Sequence, residues 1–516
     1  MQPKRVLGEP IFIILPAIHA MLRAMRRHVS AGFMLAFALF ATTPVLGDDA
    51  ASLLAKNKAF ARWAFGDPSM SGLLMTGTVG DRQIIDLRRG AIWRQEITDP
   101  KTRMSYDVGF TGKRFWYADP NGFTVQLASD AIKYHVAYQI VMNQGLPLLA
   151  GNLRGTAKIN GIPAQIVRVN PHDGDAIDAY IEPSSGRLLR AVIDPDGSPT
   201  KIDILAYADL DDKKVISAWH IDGPNVVMTE VDHARITDED FHPPVPISKW
   251  TFGPPEPIPI ALSKTRLSVR ATVNGVTGEF MLDTAAGSIF LKPNFAKRAG
   301  AKQVGSTVFG LSGATKGAIA RVDTLAVGRN VLHDVLVRTS LNARGPLQDF
   351  DGLLGFDFLA GALVDVDFTK SAMTIYDPSK YRVTAQGAPI PIDLISGQPN
   401  VSVVLNGRVK GHFLFDTGEP TALVATDKLY GPPSGVEMRS EYTAQSPTNS
   451  TLVNCGHVQS IQIGGAVKYD NVPTCFGDYG ELFARDGGVI GLGFLRQFDL
   501  TFDYPDAMIY LTRLEK

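Results

Sequence analysis

The second half of this 516-residue chain contains the same sequence pattern twice. Residues 257–262 read PIPIAL and residues 389–394 read PIPIDL. Next come 267–275 (LSVRATVNG) and 401–407 (VSVVLNG), which alternate apolar and polar residues and end in Asn-Gly, a strong signal for a β-hairpin. A repeat of this length constrains the fold strongly, because both copies must form the same strands in the same order.

Each copy then runs from an apolar strand into Asp-Thr, first as FMLDTA with Asp283 and then as FLFDTG with Asp416. Further matched landmarks follow in the same order: GLLG and GVIG, Asp-Phe and Asp-Tyr, and AMTIY and AMIY. We therefore predict two copies of one β-rich lobe, at residues 257–378 and 388–516.

Composition excludes several classes of protein. The chain has 51 Lys and Arg against 52 Asp and Glu, a balance that argues against a nucleic-acid partner. Its 49 Gly and 33 Pro favour a turn-rich β protein. No H-E-x-x-H, G-x-S-x-G or G-x-x-x-x-G-K-[ST] motif is present, which disfavours a zinc protease, a serine hydrolase and a nucleotide-binding loop. We predict neither a metal site nor a cofactor.

The two Asp-Thr turns indicate acid–base chemistry when they are taken as a pair. A single such turn is usually a strand end at which Asp caps local amides. Two copies of one lobe, however, tend to pack about a twofold axis, which would bring Asp283 and Asp416 together. Two carboxyl groups in contact cannot both ionise, so one could activate a water while the other polarises a carbonyl.

Residues 257–516 resemble the retropepsin-like aspartic proteases, in a tandem arrangement that forms a pseudodimer within one chain. The motifs with Asp283 and Asp416 carry this resemblance, together with two hydrophobic-hydrophobic-glycine elements, Leu353-Leu354-Gly355 and Val489-Ile490-Gly491. It implies a mainly β fold of two β-barrel lobes, with Asp283 and Asp416 as the catalytic dyad. It also implies that Thr284, Ala285, Thr417 and Gly418 support the dyad.

The resemblance implies a substrate flap at Phe309, Gly310, Leu311, Ser312 and Gly313. Two positions depart from the family pattern, since Ala285 stands where glycine is commoner and Glu419 stands where a small residue is usual. A degenerate, non-catalytic dyad therefore remains an alternative.

The N-terminal 47 residues have the features of a secretory signal peptide. Basic residues at 26–27 precede a short apolar run at 31–41, and small residues follow, so the true start could be Met21 or Met25. The alternative is an N-terminal membrane anchor. Export to the periplasm or beyond would allow Cys455 and Cys475, the two cysteines of the chain, to pair, although two buried free thiols are also possible.

Residues 51–241 predict a separate antiparallel sheet with one or two helices, followed by a proline-rich linker at 242–256. This pattern of strands and helices is similar to that of periplasmic lipoprotein-carrier half-barrels. The similarity implies either a concave surface that binds substrate or lipid, or a structural accessory domain.

The sequence thus predicts an exported aspartic endopeptidase that binds polypeptide in an extended conformation. We expect a monomer without a transmembrane span after signal removal, because both lobes lie in one chain. The alternative is a non-catalytic envelope protein that binds peptide or lipid on the same fold.

Overall fold

The computed structural model describes residues 49–127, 129–194, 199–221, 223–263, 266–309, 315–339, 348–383, 387–395, 397–426, 440–445, 450–477 and 487–514. The predicted signal peptide and flap residues 310–313 lie outside these ranges. Within them, no helix is both long enough and apolar enough to cross a bilayer.

The first part of the chain forms one sheet of thirteen strands with two α-helices. The helices are α1 (Ala50–Ala61) and α2 (Ser129–Met142). Short 3-10 turns lie at Pro68–Met70, Leu146–Leu148 and Glu239–Phe241. The strands are β1 (Leu73–Val79), β2 (Arg82–Arg89), β3 (Ile92–Thr98), β4 (Ser105–Phe110), β5 (Phe115–Ala118), β6 (Thr124–Gln126), β7 (Gly151–Ile159), β8 (Ile162–Val169), β9 (Ile177–Ile181), β10 (Leu188–Ile193), β11 (Thr200–Leu210), β12 (Lys213–His220) and β13 (Val226–His233).

The first and last strands of this N-terminal sheet, β1 and β13, pair with each other at its centre. Strands β1 to β6 follow one another towards one edge, and β13 to β7 towards the other. Helix α1 packs against β7 and β12, and α2 packs against β10. Buried apolar side chains such as Leu53 and Val141 fill the space between helices and sheet.

The rest of the chain forms two matched series of strands. The first consists of β14 (Lys249–Thr251), β15 (Ile258–Leu262), β16 (Leu267–Val273), β17 (Val276–Leu282), β18 (Phe290–Leu291), α3 (Pro293–Arg298), β19 (Lys302–Phe309), β20 (Thr315–Val327), β21 (Asn330–Thr339), β22 (Gly352–Leu354), α4 (Phe356–Leu359), β23 (Leu363–Asp367) and β24 (Ala372–Tyr376). The second consists of β25 (Ala388–Pro391), β26 (Asp393–Ile395), β27 (Gln398–Leu405), β28 (Val409–Asp416), β29 (Leu423–Thr426), β30 (Ser440–Gln445), β31 (Ser450–Ile463), β32 (Val467–Gly477), β33 (Gly488–Gly491), α5 (Leu492–Leu495), β34 (Phe498–Asp503) and β35 (Met508–Arg513).

Each series closes into a six-stranded barrel. The first barrel runs β16-β17-β22-β18-β21-β20 and closes through the pairing of β20 with β16. The second runs β27-β28-β33-β29-β32-β31 and closes through the pairing of β27 with β31. The two rings match strand for strand, and the predicted mainly β fold with two barrel lobes is confirmed.

A six-stranded antiparallel sheet joins the two barrels, in the order β15-β24-β23-β34-β35-β25. Its central contact is between β23 of the first lobe and β34 of the second. The outer strands of each half come from matched positions of the repeat, which gives the sheet a twofold pattern about this contact. The linker also takes part in the fold, because β14 pairs with β21 of the first lobe.

The Asn-Gly hairpins predicted from the repeat are present in both lobes. Asn274 and Gly275 connect β16 to β17, and Asn406 and Gly407 connect β27 to β28. All four have positive φ, at 47° and 84° in the first hairpin and 48° and 66° in the second. The turn has two residues in the first hairpin, whereas Arg408 also lies between the strands of the second. Asn and Gly adopt the positive φ of these turns at low cost.

Cys455 and Cys475 lie directly opposite each other on β31 and β32 and form a disulfide. This decides between the two alternatives left open by the sequence. The bond closes a loop across a sequence separation of 20 residues.

Removal of this disulfide by the double substitution Cys455→Ser and Cys475→Ser is expected to lower the free energy of unfolding by about 3 kcal/mol, because the unfolded chain gains freedom. Chemical denaturation of both proteins, with and without reductant, measures the loss. Reductant should destabilise the wild type and leave the double variant unchanged. Equal stability of the oxidised wild type and the variant would contradict the prediction.

Candidate active site

Both Asp-Thr turns leave their barrels beside the matching hydrophobic-hydrophobic-glycine strand. Strand β17 pairs in parallel with β22, and the backbone N–H of Asp283 donates to the carbonyl of Leu354 at 3.0 Å. In the second lobe β28 pairs in parallel with β33, which places Asp416 opposite Gly491. The repeat therefore delivers one carboxyl group per lobe to equivalent positions.

The glycines of these elements are required by close packing of backbone against backbone. A Cβ at Gly355 would lie 2.1 Å from the carbonyl oxygen of Ala286, and one at Gly491 would lie 2.3 Å from that of Thr421. Both glycines thus let the loop that follows the Asp-Thr turn lie directly against the start of the next helix. Leu353, Leu354, Val489 and Ile490, which precede them, are buried in the lobes.

Two threonine hydroxyls tie the loops of the two lobes together. Thr284 Oγ1 donates to the carbonyl of Phe415 at 2.6 Å and accepts the N–H of Thr417 at 3.0 Å. Thr417 Oγ1 in turn donates to the carbonyl of Leu282 at 2.7 Å and accepts the N–H of Thr284 at 3.1 Å. Both side chains are fully buried. These four reciprocal bonds fix the relative position of the two aspartates.

The carboxyl groups of Asp283 and Asp416 meet between the lobes and are hydrogen-bonded to each other. Asp283 Oδ1 also accepts the N–H groups of Ala285 and Ala286 at 3.0 and 3.1 Å, and Asp416 Oδ1 accepts that of Gly418 at 2.7 Å. A Cβ at Gly418 would lie 2.9 Å from Cγ of Asp283. Glycine in the second motif therefore leaves room for the first carboxyl group.

The surroundings of the pair favour one shared proton. Burial raises the pKa of Asp283 above its ordinary value, against the opposing effect of hydrogen bonds from Ala285, Ala286 and Asp416. Burial also raises the pKa of Asp416, and the charges of Asp283 and Glu419 raise it further. Both carboxyl groups are thus shifted towards the neutral form, and the charges that act on Asp416 favour its protonation.

Sequence reasoning noted Glu419 only as a departure from the family pattern. Its Oε1 accepts the N–H and the hydroxyl of Thr421 at 2.9 and 2.8 Å. The matched position in the first lobe is Ala286, so the repeat places a third carboxylate on the Asp416 side alone. Comparison of the two motifs at this position could have indicated an unequal pair.

Two other residues near the pair were missed. Gln398, at the start of β27, donates through Nε2 to the carbonyl of Ala285 at 2.6 Å and so links the second lobe to the first Asp-Thr turn. Tyr504 is fully buried, and the charges of Asp283 and Asp416 help to raise the pKa of its hydroxyl well above the ordinary value. The matched residue of the first lobe is Phe368, a difference that was visible in the sequence.

Phe309, the first of the predicted flap residues, ends β19, and β19 pairs antiparallel with β20. We call these two strands the flap hairpin. The other predicted flap residues, Gly310 to Gly313, lie outside the described residues. In the second lobe β30 and β31 form the matching hairpin.

Residues 269–358 match the family model of aspartyl protease. The matched segment contains Asp283 and the Leu353-Leu354-Gly355 element, whereas Asp416 lies beyond it. No curated protein matches the chain. Among solved structures, the aspartic proteinase from Irpex lacteus is similar at 15% identity and a TM-score of 0.35, over 50% of this chain and 97% of that one. The family match supports a peptidase function.

Proposed function

We propose that this chain is an exported aspartic endopeptidase that hydrolyses peptide bonds with water activated by Asp283 and Asp416. The observation that carries the proposal is the contact of two half-buried carboxyl groups from matched loops, which are hydrogen-bonded to each other. Two carboxyl groups held against each other cannot both ionise without a large cost, so such a pair shares one proton. A pair that shares one proton is suited to acid–base catalysis.

The two carboxyl groups have different roles in the proposed reaction. Asp283, which is ionised, takes a proton from the attacking water. Asp416, which is protonated, donates a hydrogen bond to the carbonyl oxygen of the scissile peptide and stabilises the negative charge that develops there. Asp283 then transfers this proton to the nitrogen of the leaving amine, and the C–N bond breaks. The amides of Ala285 and Ala286 hold Asp283 in position.

The proposed substrate is a polypeptide in an extended conformation. The flap hairpin and the matching hairpin of the second lobe offer strands to which a substrate backbone can hydrogen-bond. Export rests on the N-terminal sequence, and the disulfide agrees with an oxidising compartment. Both lobes are in one chain, so we propose a monomer located in the periplasm or secreted.

The test is incubation of the purified chain with a reduced, alkylated protein at intervals from about pH 3 to pH 7, the range in which such dyads operate. We expect cleavage with an acidic optimum and inhibition by a statine-containing peptide, which mimics the tetrahedral intermediate. Absence of cleavage over this whole range would refute the proposed function and favour the non-catalytic alternative.

Glu419→Gln is expected to move the alkaline limb of the pH–activity profile to lower pH. The carboxylate of Glu419 raises the pKa of Asp416, so its removal lets Asp416 lose its proton earlier as the pH rises. Glutamine keeps an oxygen for Thr421. Asp470→Asn, a charge removal at an exposed site of the same lobe, is the control and should leave the profile in place. An unchanged profile for Glu419→Gln would refute this role.

A further inference from the structure

The turn between β5 and β6 of the N-terminal sheet is hydrogen-bonded to the first lobe through the side-chain amide of Asn121. Asn121 Oδ1 accepts the N–H of Leu336 at 2.8 Å, and its Nδ2 donates to the carbonyl of the same residue at 3.2 Å. Ser248, which leads into β14, donates to Asn121 Oδ1 at 2.9 Å. Leu336 lies on β21, which pairs with β20 of the flap hairpin, so this turn is attached to the strand next to the hairpin.

The turn between β3 and β4 contacts the flap hairpin itself. Met104 packs in a small apolar cluster with Ile319 of β20 and Leu336 of β21, and Val304 of β19 lies against it. Thr102 lies so close to β19 that a Cβ at Gly305 would be 2.5 Å from its Cγ2. The base of the flap hairpin is therefore packed against the N-terminal sheet.

A second pair of buried carboxyl groups lies in the same interface. Asp119, at the end of β5, is hydrogen-bonded to Asp357 of α4, and both side chains are almost fully buried. Asp357 Oδ2 also accepts the hydroxyl of Ser288 and the N–H of Ile289, both at 2.7 Å. Ser288 follows the Asp283 turn by a few residues. The pair thus connects the N-terminal sheet to the loop that carries a catalytic carboxyl group.

The character of this interface argues against a removable pro-segment. Phe123 packs so tightly on the first lobe that a Cβ at Gly361 would be 2.5 Å from its ring, and Phe123 belongs to the same buried cluster as Phe358 of α4. Helix α2 also contacts β26 of the second lobe. Loss of the N-terminal sheet would expose this apolar core to water, which is costly.

We propose that the N-terminal sheet is a permanent part of the catalytic unit that fixes the base of the flap hairpin, and that a proton shared by Asp119 and Asp357 stabilises its docking. The role of the hairpin in substrate binding rests on the proposed function, whereas the docking itself does not. Met104 and Asn121 are then positioning residues for the flap hairpin.

The groups that face the Asp119 carboxyl explain the direction of the pH effect. Burial and the charge of Asp357 raise the pKa of Asp119 well above its ordinary value. Tyr106 on β4 and Tyr117 on β5 lie nearby, and burial raises the pKa of each, so both stay neutral. The charge of Arg338 on β21 acts on both tyrosines and that of Arg82 on β2 acts on Tyr106, in each case lowering the pKa of the phenol.

The direction in which pH changes docking follows from the linkage between docking and proton binding. Once undocked and in water, Asp119 would regain its ordinary pKa of about 4, so the docked state binds the proton more tightly than the undocked state. The contribution of this proton to docking is therefore fully present below about pH 4 and is lost as the pH rises through the raised pKa of the docked state. Low pH thus stabilises the contact between the N-terminal sheet and the flap hairpin. It also favours the proton that Asp283 and Asp416 share.

Hydrogen exchange of β19 and β20 in the full chain, at pH 5 and pH 8 and corrected for intrinsic exchange rates, tests the docking. We expect exchange in the wild type to be about tenfold faster at pH 8, because the hairpin loses its support. Asp119→Asn keeps a donor for Asp357 without a charge and should exchange slowly at both pH values. Asp81→Asn removes an exposed carboxylate of the same sheet and should behave like the wild type.

Equal corrected exchange at both pH values in the wild type would overturn the proposal, as would a pH dependence that persists in Asp119→Asn. This readout needs no catalysis. If exchange follows the proposal but no peptide is cleaved, the docking stands and the proposed function fails.

The role in flap positioning has a kinetic test. Met104→Ala should raise KM roughly three- to tenfold with little change in kcat, because the loosened hairpin binds substrate less well. Met228→Ala is the matched control, since Met228 is as buried as Met104 but lies on β13 within the N-terminal sheet. A KM change shared by both variants, or by neither, would refute this role of Met104.

Discussion

Replacement of Asp283 by asparagine is expected to abolish peptide hydrolysis while raising the stability of the protein at neutral pH. Asparagine has the shape of aspartate but cannot take a proton from water, and loss of a general base reduces the rate by about 10²- to 10⁴-fold. A residue with a purely structural role would lose stability and activity together. The opposite directions expected here distinguish catalysis from support of the fold.

The gain in stability follows from the raised pKa of the pair. A carboxyl group whose pKa is higher in the folded than in the unfolded protein stabilises the fold below its unfolded pKa of about 4, and that contribution is lost as the pH rises through the folded value. At neutral pH the wild type therefore carries a burial cost that asparagine removes. Asp283→Asn should unfold at higher denaturant concentration than the wild type at pH 7, and the difference should shrink at pH 4.

The first comparison for this result is the matched aspartate of the second lobe. Asp416→Asn should give the same loss of hydrolysis, because each carboxyl group has a separate task in the same step. Asp470→Asn removes an exposed carboxylate of the second lobe, on β32 and not on the flap hairpin, and it should change neither rate nor stability measurably. Retention of more than about a tenth of the wild-type rate in either dyad variant would show that the pair is not the catalytic base and acid.

The sequence was sufficient to predict the paired lobes because the relevant signals are local and occur twice. Asn-Gly favours a particular turn, and the alternation of apolar and polar residues defines the two faces of a strand. The strand before each aspartate is recognisable from its own apolar residues. The contact of the two aspartates then follows from the duplication. Each of these inferences uses neighbouring residues and one symmetry argument.

The role of the N-terminal sheet could not be predicted in this way. Asp119 and Asn121 belong to a sequence, DPNG, that by itself indicates only a hairpin turn. Their partners, Asp357 and Leu336, lie in another part of the chain and become neighbours only through tertiary packing. No periodicity or motif encodes such a contact, so a buried acid pair between two sheets is found only in the folded structure.

Substitution of Thr284 by valine is expected to lower the free energy of unfolding by about 2–6 kcal/mol, with a parallel fall in hydrolysis. Valine fills the same space but leaves the carbonyl of Phe415 and the N–H of Thr417 buried without partners, at about 1–3 kcal/mol each. Thr417→Val should have a similar effect through Leu282 and Thr284. Denaturant unfolding at pH 5, where Asp283 and Asp416 can keep their shared proton, gives these values.

Two comparisons separate the bonds of Thr284 from other consequences of a changed side chain. Thr284→Ser retains the hydroxyl and should recover most of the stability and rate. Thr272→Val makes the same chemical change in an exposed threonine pair of the first lobe, with Thr277, and should cost less than about 0.5 kcal/mol. Because Thr284 and Thr417 bond to each other's backbone, the double valine variant should depart from additivity by about 0.5–3 kcal/mol. If Thr284→Val were as stable as Thr272→Val, the two loops would be held by barrel packing alone, and the reciprocal bonds could not be what sets the contact between Asp283 and Asp416.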